Sequence, residues 1–104
     1  AWHSFLGKVE ETILVKVDEE VRKYVREAVA TSGQVVPNWS VTVRPGVPYE
    51  GILDFAEEVG ADMIMIGHRG ISDLRRFVMG SVAAKVVAHA CCSVYVHRPR
   101  VLAE

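Results

Sequence analysis

"VPYEGILDFAEEVGADMIMIG", residues 47–67, sets two hydrophobic periods back to back. In its first part Ile52, Phe55, Ala56 and Val59 recur at helical steps beside Asp54, Glu57 and Glu58, a solvated face, which predicts an amphipathic helix over 48–59. Pro48 suits its first turn, Gly60 suits the left-handed residue that ends a helix, and Gly51 weakens it slightly. Met63 to Ile66 then run without a polar residue between Asp62 and Gly67, which predicts a strand over 62–67. An apolar run of that length belongs to a strand covered on both faces, central in a parallel sheet.

Downstream the same alternation repeats. "SVAAKVVAHA" predicts a helix over 81–90 with Ser81 at its start, and "SVYVH" predicts a strand over 93–97 closed by Pro99. Upstream, "NWSVTVRPG" sets Trp39, Val41 and Val43 against Ser40, Thr42 and Arg44, as a strand over 39–44 with one face more buried would, until Pro45-Gly46 stops it. Strand, helix, strand, helix, strand is the α/β signature, with ligands expected at the carboxyl ends of the strands.

The first third admits two readings. Phe5, Leu6, Val9, Ile13, Leu14, Val17, Val21, Val25 and Val29 keep a helical period opposite charged residues, which predicts one long helix over 3–32 ended by Gly33. In the rival reading "TILVKVD" alone is a strand, favoured by its β-branched residues, and a shorter helix starts at Glu19. The longer period outweighs the short propensity signal.

Bulk composition bounds the function. The chain has 104 residues, half of them hydrophobic, enough for one domain over 1–104 with a modest core. Its 12 Lys and Arg against 13 Asp and Glu give a net charge of -1, which supplies no broad attraction for nucleic acid or an anionic membrane. No apolar run approaches the roughly 18 residues of a membrane span, and "AWHSFLGKVEE" carries charges where a signal peptide is apolar. The adjacent Cys91 and Cys92 read as small buried or half-buried side chains in a reduced, cytoplasmic setting.

"GHRGISDLRRFVMGS", residues 67–81, spaces Gly67, two residues, Gly70, nine residues, then Gly80-Ser81. Gly67 ends the predicted central strand and lets a ligand approach the backbone there, while Gly70 permits a turn. Gly80-Ser81 opens a helix, where unpaired amides and the helix dipole attract an anion. The intervening "ISDLRRFVM" could fold over the cleft, with Arg69, Arg75 or Arg76 in reach of phosphate. Singly, such glycines are plain punctuation and such a serine an N-cap; the joint spacing raises the odds of a site.

That spacing resembles the signature of the universal stress protein family in its nucleotide-binding branch, and "RPGVPYEGILDFAEEVGADMIMIG" and "SVAAKVVAHACCSVYVHRP" are similar to its later elements. The resemblance covers roughly residues 38–99. It implies a doubly wound parallel sheet of the adenine nucleotide alpha hydrolase type, binding ATP, ADP or AMP, with Mg2+ alongside ATP. Gly67, Gly70, Gly80 and Ser81 would contact ribose and phosphates, and His68, Arg69 and Val82 lie within or beside the motif. It also implies a homodimer paired through the last strand, Ser93 to His97.

The resemblance is incomplete at the N-terminus. A full member begins with an apolar strand ending in Asp, then a helix and a second strand. On the long-helix reading that unit is missing and residues preceding Ala1 are expected; on the rival reading Asp18 is the adenine contact.

The remaining candidates are weaker. His89, Cys91, Cys92 and His97 could be imagined as a metal site, but no second cluster with ligand spacing supports it, and His89 suits the end of a helix. Met63, Met65 and Met79 read as core filler, and Tyr24, Tyr49 and Tyr95 as packing residues. Only Asp73 and His68 stand near the motif as bases, and Ser72 or Ser81 as sites of modification, so turnover is expected to be slow or absent. Two functions follow: a nucleotide-binding stress or signalling module, or a dimerising interaction module whose cleft binds nothing. An enzyme that splits the nucleotide between its alpha and beta phosphates would need a substrate domain as well.

Overall fold

The computed structural model describes residues 1–68 and 79–99. Helix α1 spans Trp2–Ser32, α2 Pro48–Val59 and α3 Ser81–His89, while strands β1 (Met63–Gly67) and β2 (Ser93–His97) form a parallel pair. This is a mixed α/β arrangement, and every element boundary falls within a residue of its sequence expectation. The chain divides into two compact units, Ala1–Pro45 and Gly46–Glu104.

In the first unit, residues 12–18 are helical, so "TILVKVD" is no strand. The continuous period of α1 prevails, and the helix ends where Gly33 takes a φ of 69°, a conformation a side chain would strain. Leu14, Asp18, Val25 and Val29 are half-buried on one face, while Phe5, Leu6, Val9, Ile13 and Val17 are exposed. Asp18 lies on the helix surface, paired with Arg22 one turn on, so it is not the end of a first strand.

The strand expected over 39–44 does not form. Its alternation is nevertheless present: Trp39, Val41 and Val43 are half-buried, and Ser40, Thr42 and Arg44 are exposed. A strand also needs a neighbour for its backbone groups. Here Arg22 Nη2 donates a 2.9 Å hydrogen bond to the Val41 carbonyl, so a side chain supplies what a ladder would. The Asp18 carboxylate holds the Arg22 guanidinium above its ordinary pKa, first by hydrogen bonding and then by charge.

In the second unit, α2 ends at Gly60, whose φ of 64° is again left-handed, and whose amide donates to Glu57 at 3.1 Å. The register pairs Ile64 with Val94 and Ile66 with Val96. α3 joins the two strands and packs on α2 and β2. Ile64, Ala83 and Val86 form the buried core, Val86 with no exposed surface.

Three expectations fail in this unit. Among the described residues β1 pairs with β2, and its two faces differ: Ile64 is buried, whereas Met63 and Met65 are 55% and 71% exposed. Successive side chains of a strand point to opposite faces, and α2 and α3 serve the isoleucine face alone. The methionines, with Met79 also exposed, are therefore not core filler, nor does Tyr95 pack inside, and Tyr24 in the first unit is likewise exposed. Tyr49 does pack, half-buried under the Lys85 ammonium at 4.7 Å. Cys91 is exposed rather than buried, because it sits on the bend between α3 and β2.

Candidate functional site

The ends of β1 and α3 are joined by two backbone bonds. The His68 amide donates to the His97 carbonyl at 2.8 Å, which carries the ladder one residue past β1. The His68 carbonyl then accepts the Gly80 amide at 2.7 Å. The carboxyl end of β1 thus lies against the amino end of α3, the adjacency that an anion site at the mouth of the sheet requires.

Gly80 is the N-cap of α3, with φ -61° and ψ 154°, and is buried. The first bond within α3 runs from the Ala84 amide to the Gly80 carbonyl at 2.9 Å. The amides of Ser81, Val82 and Ala83 therefore precede any intrahelical acceptor, and among the described residues no side chain caps the helix. These three donors at the positive end of the helix dipole are the groups that suit a phosphate oxygen. Ser81 is exposed, Val82 half-buried and Ala83 2% exposed.

Of the sequence-predicted residues, Gly67, His68, Gly80, Ser81 and Val82 come together at this end of the unit. Arg69 and Gly70, with Ser72, Asp73, Arg75 and Arg76, lie outside the described residues. The family resemblance implied that Gly80 would contact ribose or phosphates, without saying through which atom. In the structure the Gly80 amide donates to the His68 carbonyl, so Gly80 acts as a clamp, and the amides without an intrahelical acceptor begin one residue later. Only tertiary adjacency reveals that role. Among the described residues, no group of three His, Cys, Asp or Glu side chains could hold a metal, and no helix is long and apolar enough to cross a membrane.

Parallel strands joined through a helix whose amino end adjoins the first strand's carboxyl end define a mixed α/β domain. Within that class, the chain belongs to the universal stress protein family, whose profile matches residues 4–98. A universal stress protein of Methanocaldococcus jannaschii is 32% identical over 96 residues, which is 88% of this chain and 56% of that protein. A Staphylococcus epidermidis protein named for the same family is 37% identical over 87 residues, 83% of this chain and 51% of its own length. The chain thus spans about half the length of these curated relatives. No solved structure gives a significant match.

Proposed function

We propose that this chain is a nucleotide-binding stress-response module that takes ATP, ADP or AMP between the end of β1 and the start of α3. Residues 1–104 act as one domain in this reading, part of a doubly wound sheet of the adenine nucleotide alpha hydrolase type. One observation supports it above the others: the 2.7 Å bond from the Gly80 amide to the His68 carbonyl, which holds the start of α3 against the residue that follows Gly67. The phosphates would sit on those amides, with Gly67 and Gly70 leaving room for ribose and His68 and Arg69 at the rim. Mg2+ would enter on the nucleotide's own oxygens.

The module signals by occupancy, with slow hydrolysis or autophosphorylation at most, and works in the cytoplasm. It pairs with a second copy through Ser93 to His97, the strand whose far edge has no partner among the described residues. Calorimetric titration with ATP tests the site, followed by Gly80→Asp, which sets bulk and negative charge at the phosphate position. Tight binding that survives this change would contradict the assignment. No binding by the wild-type chain would leave the dimerising module as the function.

A further inference from the structure

At the other end of the sheet, where β1 and β2 begin, a cavity of about 280 Å3 opens between α2, α3 and the strands. Leu53, Ala56 and Ile64 give it an apolar wall, and Glu57 and His89 stand on its rim. Cys91 and Cys92 both line it, and both are free thiols. Adjacent residues in a strand would point apart; these two share one cavity because they sit on the bend after α3. The carboxyl ends of α2 and α3 also meet here, at Gly60 and Ala90, and their dipoles disfavour an anion.

Two adjacent thiols beside an apolar hollow, with helix carboxyl ends and a carboxylate around them, select a neutral, thiophilic ligand with an apolar substituent. No third ligand is placed to complete a site for a conventional metal ion among the described residues. We infer that Cys91 and Cys92 form a dithiol site for trivalent organic arsenicals, the organic group lodging against Leu53, Ala56 and Ile64. The capture is a substitution at arsenic. Two S–H and two As–OH bonds break, two As–S bonds form, and two waters leave with the thiol protons. Arsenic stays trivalent and no oxidant is needed. The second As–S bond closes within one molecule, which makes the pair a far better ligand than either thiol alone.

The test uses phenylarsine oxide and the whole chain, followed by intact mass and by thermal unfolding. One phenylarsenic group per chain is expected, resistant to a monothiol and removed by a dithiol. The folded protein should be stabilised, because the hollow that takes the phenyl group exists only when folded, whereas the adjacent thiols stay together in the unfolded chain. Cys91→Ala and Cys92→Ala should each lower the affinity by about 100-fold. Ala56→Phe fills the hollow and should weaken phenylarsine oxide by about tenfold while inorganic arsenite binds as before. Equal binding by either single-cysteine variant would overturn the dithiol. Equal affinity in urea-unfolded chain, or Ala56→Phe leaving phenylarsine oxide unaffected, would overturn the cavity's part in it.

Discussion

The Gly80 amide donates a 2.7 Å hydrogen bond to the His68 carbonyl, so the turn into α3 is tied to the chain just beyond β1 by main-chain atoms alone. Gly80 has a φ of -61°, within the range proline permits, so Gly80→Pro removes the donor while keeping the backbone angle. Compared with Gly80→Ala, which retains the amide, the proline variant should be less stable by about 1 kcal/mol and bind ATP more weakly. Chemical denaturation of the two variants measures the difference. Equal stability would show that the bond contributes nothing.

Ser81 is exposed at the first helical position, where a carboxylate is welcome to the helix and unwelcome to a phosphate. Ser81→Asp should therefore hold or raise the stability of α3, by about 0.3–1 kcal/mol, while ATP affinity falls. Opposite signs in thermal unfolding and in nucleotide titration separate a binding role from a folding role. A variant that loses both would speak for a cap alone.

Val86 is fully buried and Met65 is 71% exposed, although both are apolar. Val86→Ala leaves a cavity in the core and should destabilise by about 2 kcal/mol, whereas Met65→Ala should stay within about 0.5 kcal/mol. Denaturant midpoints measured side by side check this. A large loss at Met65 would mean that its face of β1 is covered.

Arg22 reaches from α1 to the Val41 carbonyl while held by Asp18. Arg22→Ala should leave α1 helical but speed amide exchange and proteolysis in residues 39–45 several-fold. Arg22→Lys should rescue little, since an ammonium lacks the fork that serves two partners. The guanidinium pKa is raised, so the contact is present at ordinary pH and is lost only as pH climbs through that raised value.

Tyr95 is half exposed at the centre of β2, where a two-fold axis through Ser93 to His97 would set it opposite its copy. Tyr95→Lys places like charges across that axis and should shift the proposed dimer toward monomer in light scattering. An unchanged dimer would put the interface elsewhere.

The sequence made most of the secondary structure legible because the signals were local. Pro48 and Gly60 frame α2 by their own backbone preferences, and the long period of α1 outlasts the β-branched run inside it. What depended on neighbours was not legible. The unbroken Met63 to Ile66 run announces a strand, yet nothing in it says which face will be covered. Trp39, Val41 and Val43 gave the right faces, but no local pattern can reveal that Arg22, rather than a second strand, meets the Val41 carbonyl. Glycine spacing marked the end of β1 and the start of α3, whereas the bond that spends the Gly80 amide on His68 exists only in three dimensions. The shared cavity of Cys91 and Cys92 was hidden for the same reason, since adjacency in sequence suggests divergence.

In the proposed function the amides opening α3, held beside the end of β1, receive the phosphates of an adenine nucleotide. The most direct measurement is an amide-resolved NMR titration of the isotope-labelled chain with ATP. Saturable shifts are expected, concentrated at Ser81, Val82 and Ala83, with Gly67 and His68 following, and lost in Ser81→Asp. Saturation that leaves those amides unmoved while other residues shift, or no saturable change at all, would contradict it.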